Sequence, residues 1–143
     1  MVRRLQIERY DRTRHYEDIC YIAEHVQEIT MQEIERLKIN EFNSFIFNAV
    51  EILSDEVYLV RDKGRAFFLL GLLADEAVWS VATRDVLGYR KELLYYSRVV
   101  VAELLKTRKA LRGIIPREEK TLRWLKWLGA RVADDGYFVI GGE

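Results

Sequence analysis

The sequence has little of what staples, interrupts or spans. Of its 143 residues one is cysteine, one proline and two histidine. A lone Cys20 forms no disulfide within the chain, and no Cys/His cluster has the spacing of a structural zinc site, so no metal is expected. Cys20 falls in a helical pattern beside Ile19 and Ala23, where it reads as a small packed hydrophobe rather than a reactive thiol. Long apolar runs are missing too. The longest, Ala66 to Ala74, is too short to cross a bilayer as a helix, and Met1-Val2-Arg3-Arg4 is not followed by the apolar core of a signal peptide. Secretion and membrane insertion are disfavoured, and a reducing compartment fits.

What is present is an ordinary globular balance, 50% hydrophobic and 32% charged, with no mark of disorder. A chain of this length buries on the order of 70% of its unfolded surface, which predicts one core and a single domain over residues 1–143. A formal net charge of zero hides an asymmetry. Ten acids face two bases between Glu17 and Glu56, and nine bases face two acids between Lys106 and Arg131. The second stretch suits an anionic partner if its bases converge; otherwise the charges solvate two helix faces.

Periodicity gives the element order. Leu5 to Arg9 predicts a short strand, and Ile19, Ala23, Val26 and Ile29 recur at helical spacing. Thr30 and Glu33 form a capping box for a second helix carrying Met31, Ile34 and Leu37, and Asn43 caps a third that buries Ile46, Ala49, Val50 and Leu53. Val57–Arg61, Arg65–Leu73 and Ala77–Thr83 then read as a three-strand meander, broken by Asp62-Lys63-Gly64 and Ala74-Asp75-Glu76. The middle run is apolar on both sides and needs cover on both faces. A long helix follows from Leu87 to Leu105, packing through Leu94, Val101 and Leu105. Leu111–Ile115 predicts a buried strand, and Pro116 opens a helix with Leu122, Leu125 and Leu128 inside, stopped by Gly129. A hairpin of Ala130–Val132 and Tyr137–Ile140 closes the chain around Asp134-Asp135-Gly136. The expected class is α/β (α+β), a mixed, mainly antiparallel sheet of six or seven strands flanked by helices.

This order, with Glu76-Ala77-Val78-Trp79-Ser80-Val81-Ala82-Thr83 before the long helix and Thr121-Leu122-Arg123-Trp124-Leu125-Lys126-Trp127-Leu128-Gly129-Ala130 near the end, resembles the N-acetyltransferase-like (GNAT) superfamily, and most of all the GNAT-like internal virion proteins of short-tailed phages. The likeness covers residues 56–143 in sequence and the first 55 by element order. It implies an acetyl-CoA site along Val81 and Ala82, where a backbone N–H would face the acetyl carbonyl, and at the start of the long helix, where unpaired amides cradle a pyrophosphate. The positions it marks for the cofactor are Val81, Ala82, Thr83, Arg84, Gly88, Tyr89 and Arg90.

The sequence departs from the family pattern at several of these points. The phosphate loop reads Arg84-Asp85-Val86-Leu87-Gly88-Tyr89-Arg90, with one glycine where two are usual, and a side chain at 89 or 90 would hinder the close approach glycine permits. Asp85 as a plain helix cap is the competing reading. The second family motif keeps only Gly129: Glu118 stands for its asparagine, Thr121 for its alanine, Leu125 for the proton-donating tyrosine and Ala130 for its phenylalanine. Leucine has no proton to give, which leaves Tyr137 as a substitute donor, while Glu56, Asp75 and Glu76 are candidate bases.

His15 and His25 lack a third ligand and read as structural or solvated. Trp124 and Trp127 can stack nucleobases, or one packs in the core and the other covers the helix edge. Three functions follow: a virion or morphogenesis protein that binds other phage or host proteins and carries a degenerate acetyl-CoA site; an active acetyl-CoA-dependent N-acetyltransferase; or a nucleic-acid-binding module using Lys106 to Arg131. The resemblance implies a virion or host-cytoplasm location.

Overall fold

A computed structural model of the chain describes residues 3–26, 46–74, 76–116, 118–133 and 135–142. The expected helix from Thr30 to Leu37, the Asn43 cap, and Asp75, Arg117 and Asp134 lie outside these residues. Two antiparallel sheets carry the fold. Strands β1 (Gln6–Arg9), β2 (Glu56–Asp62), β3 (Arg65–Leu72) and β4 (Val78–Ala82) form the first in sequence order, and β5 (Ala110–Ile114), β7 (Tyr137–Gly141) and β6 (Arg131–Val132) the second, with β7 central. The class and strand count agree with the sequence.

Helix α1 (Arg12–Glu24) starts where Asp11 accepts the Thr13 N–H, and buries His15, Ile19 and Ile22 at spacings of four and three. Ile19 and Ile22 meet Val57, Leu59, Leu69 and Val81 on one face of the first sheet. On the other face lies α2 (Arg90–Leu105), with Leu93 and Tyr96 beside Phe67, Phe68 and Ala82, and Val100, Val101 and Leu104 beside Leu72 and Leu111. The apolar run in β3 is thus covered twice, as its composition demands. Helix α3 (Glu119–Trp127) presents Leu125, Trp124 and Leu128 to the cluster shared by α2 and the second sheet.

The pairing of β2 with β3 slips by one residue. Val60 faces Phe68 while Arg61 faces Ala66, so Phe67 is a bulged residue with no partner on β2. Phe67 and Phe68 therefore both reach the α2 side, against strict alternation.

Three expectations need correction. Helix α2 begins at Arg90, not Leu87, because residues Arg84–Gly88 wind into a 3₁₀ turn first. Leu94 is 46% exposed and does not join the packing of Val101 and Leu105; its neighbour Leu93 packs on the sheet instead, and Glu92 is buried. In the segment before β2, Ile46, Ala49 and Val50 are buried but Leu53 is exposed, because a π-helical turn over Ala49–Leu53 rotates it outward. Among the described residues no helix is long and apolar enough to cross a membrane.

Candidate functional site

The two sheets touch through neighbouring, parallel stretches of β4 and β5. Ala77 bridges Arg112, the Arg112 N–H donates to the Glu76 carbonyl at 3.0 Å, and the Ala110 N–H donates to Glu76 Oε2 at 2.7 Å. Beyond that point β4 and β5 share no pairing among the described residues, so the strands part toward their C-terminal ends. Each of those ends leads into a helix, α2 after β4 and α3 after β5. Parted parallel strands with helices starting at their C-terminal ends are a common ligand position in α/β sheets.

Along β4 the alternation places Trp79 and Val81 toward α1, and Val78 and Ala82 toward α2. Ser80 shares the α2 side yet is exposed, although Val78 is packed and Ala82 is buried on either side of it. The gap between α2 and the sheet is therefore open at the middle of β4. Thr83 is completely buried at the end of the strand, held by its N–H to Phe67 and its bridge to Val26.

The turn into α2 is built from a small polar network. Thr83 Oγ1 accepts the Asp85 N–H at 3.2 Å and donates to Asp85 Oδ2 at 2.9 Å, and the Tyr21 hydroxyl donates to the same oxygen at 2.8 Å. Burial pulls the Asp85 carboxyl up, but the bonds from Tyr21 and Thr83 and the nearby Arg65 and His25 outweigh it and hold the pKa below the ordinary value. Tyr21 is shifted the other way by its bond to Asp85 and by burial. Thr83, then, is the cap, and Asp85 anchors the turn to α1.

Tyr89 is folded back onto β3. Its ring stacks on Phe67 with centroids 4.1 Å apart and planes 11° apart, and its hydroxyl donates to Asp62 Oδ2 at 2.7 Å. Burial and that bond push its pKa up. Gly88 has ordinary φ and open space where a Cβ would stand, so packing does not demand glycine there. Arg84 and Arg90 are exposed and form no ion pair among the described residues. The turn thus offers two free guanidinium groups beside the first-turn amides of α2.

The other half of the site is spent on structure. Glu118 caps α3, accepting the Lys120 and Thr121 N–H groups at 3.2 and 2.6 Å and the Thr121 hydroxyl at 2.7 Å. The bond from Thr121 leads the causes that hold its carboxyl below the usual range, against the pull of burial. Leu125 lies in the core, 8% exposed. Trp124 packs beside it and donates to Ser97 Oγ at 3.3 Å, while Trp127 is 41% exposed under the Arg98 guanidinium at 3.8 Å.

The candidate acids and bases are scattered. Glu76 is tied to β5 as described. Tyr137 is exposed at the start of β7 with Arg112 5.8 Å over its ring. Glu56 accepts the Tyr58 hydroxyl and pairs with Arg108. His15 is buried, its Nδ1 accepting the Asp11 N–H at 2.8 Å and its Nε2 facing Glu8 at 2.9 Å; His25 is exposed. Three residues escaped sequence reasoning: Ser80, hidden in an apolar strand, and the pair Arg3 and Glu92. Only the spacing of Tyr89, Glu92 and Tyr96 at three and four hinted at the last.

No family model matches the chain, and no curated protein matches it in sequence. Solved structures do match. The ribosomal-protein-S18-alanine N-acetyltransferase of Escherichia coli superposes with a TM-score of 0.65 over 96% of this chain and 94% of its own, at 11% identity. The PaiA N-acetyltransferase of Thermoplasma acidophilum in complex with coenzyme A gives 0.62 over 97% and 99%, at 10% identity. A GNAT-family acetyltransferase of Staphylococcus aureus gives 0.60 over 98% and 100%, at 11% identity. The chain has the fold of the GNAT N-acetyltransferases.

Proposed function

We propose that this protein binds acetyl-CoA between β4 and β5 and is an N-acetyltransferase-type protein in which binding outlasts efficient transfer. The parting of β4 from β5 after one bridge, with the start of α2 at the open end, carries this reading. The pyrophosphate would lie on the turn from Thr83 to Arg90, against Arg84, Gly88 and Arg90, and the thioester beside the backbone of Val81 and Ala82. Structural neighbours solved with coenzyme A support the same ligand.

Acetyl transfer joins an amine nitrogen to the acetyl carbon, breaks the C–S bond, and needs one proton taken from the amine and one given to the thiolate. Leu125 supplies none, and Glu76 already holds a backbone amide. A missing general acid lowers the rate by roughly 10²–10⁴. The second reading is that of a phage scaffold protein that binds other phage or host proteins. Both motif positions at 118 and 125 serve stability, and Arg123 and Lys126 on the exposed side of α3 form no ion pair among the described residues.

Titration of the purified protein with acetyl-CoA in a calorimeter tests the first reading, with Gly88→Val as the paired variant. Heat of binding in the natural protein and weaker binding in the folded variant are expected. Acetyl-CoA turnover over a broad panel of amines is expected to be slow and to rise in Leu125→Tyr. No binding by either protein would leave the scaffold reading, and rapid turnover by the natural protein would make Tyr137 the first donor to replace.

A further inference from the structure

The segment ahead of β1 is fastened to α2 at the turn just described. Tyr89, Glu92 and Tyr96 share one side of that helix, and each engages residues 3–5. The Arg3 N–H donates to Glu92 Oε2 at 2.8 Å, and the Leu5 N–H to the Tyr96 hydroxyl at 3.1 Å. The Arg3 guanidinium donates to the Gly88 carbonyl at 2.7 Å, lies 4.5 Å over the Tyr89 ring, and stands 4.0 Å from both Glu92 and Asp62. Glu92 is 3% exposed and is the third residue of α2. A carboxylate at that place competes with any bound anion for the positive end of the helix.

We infer that Arg3 is a positioning residue for the phosphate-binding end of α2: it braces the Gly88–Glu92 turn and balances the Glu92 charge that would repel a phosphate. This rests on the acetyl-CoA reading given above. The Arg3 side chain is 52% exposed, and its loss leaves the backbone bond from residue 3 to Glu92 in place, so the fold survives the change.

The test is calorimetric titration with coenzyme A of the wild type, Arg3→Ala and Arg3→Ala/Glu92→Gln. Arg3→Ala should weaken binding about three- to tenfold at low salt and less at high salt, as a charge effect at a helix end does. The double variant should return to within about twofold of the wild type, because glutamine keeps the hydrogen-bond acceptor without the charge. Equal affinity of Arg3→Ala and wild type, or a double variant as weak as Arg3→Ala, overturns the inference. If the wild type fails to bind coenzyme A, the site reading falls by itself. Hydrogen exchange over residues 84–93 then decides: faster exchange in Arg3→Ala supports the brace, and equal exchange refutes it.

Discussion

In the first sheet Trp79 of β4 lies across its partner Gly71 of β3, and in the second Phe138 of β7 lies across its partner Gly113 of β5. Both glycines leave room for a cross-strand ring, and neither tolerates a Cβ without moving it. The surroundings differ. Strand β3 is paired along both edges, and the Trp79 indole is fixed by its N–H to Ser54 Oγ at 2.7 Å. Among the described residues, strand β5 pairs along its length with β7 alone, its other edge held by the bridge to Ala77 and the two bonds to Glu76, and it can yield. The strand that can yield is also one wall of the proposed cofactor cleft, so freedom to move is concentrated where a ligand would enter.

Filling both glycines separates the rigid strand from the yielding one. Gly71→Val should be the most damaging change, costing about 3 kcal/mol through overpacking and the lost Ser54 bond. Gly113→Val, with its Cβ 2.5 Å from the Phe138 ring, should cost roughly 1–2 kcal/mol because β5 can shift. Urea denaturation of both variants measures the order, and equal costs would end the claim that β5 is the looser strand.

Helix α3 extends the contrast to pH. Glu118→Ala should cost about 1 kcal/mol at neutral pH as a lost cap. The Glu118 carboxyl is held below its ordinary 4.5, so its contribution is present above that value and disappears as pH falls through the lower folded pKa. Melting curves of the two proteins should therefore converge on acidification, and a constant gap down to pH 3 would contradict the cap. Smallest of all, Trp127→Ala should change stability by less than about 0.5 kcal/mol, since an exposed cation–π pair contributes little.

Much of this was legible. The β2–β3 turn is announced by Asp62-Lys63-Gly64, where Lys63 and Gly64 both take positive φ, and the stop of α3 by Gly129 at φ 102°. Ile19 and Val26 lie in the core and Ala23 packs against it, as their spacing predicted, while the buried Ile22 was not read from the pattern. The turn into α2 was harder to read. The burial of Glu92 and the place of Arg3 depend on contacts between residues about 90 positions apart, which no local periodicity carries. Glu118 was read against a cofactor motif, and the nearer explanation, Thr121 three residues on, is a local capping pattern.

The bulge at Phe67 also works as a change of phase. Downstream of it, Leu69 faces α1; upstream, Ala66 does the same, although the two are three residues apart in a strand that repeats every two. One extra residue thus lets a single strand address two layers in two registers, and turns Phe67 toward Tyr89 at the helix entrance. Shortening the strand by that residue would bring Arg65 and Ala66 into step with the rest and take away the platform on which the α2 turn is seated.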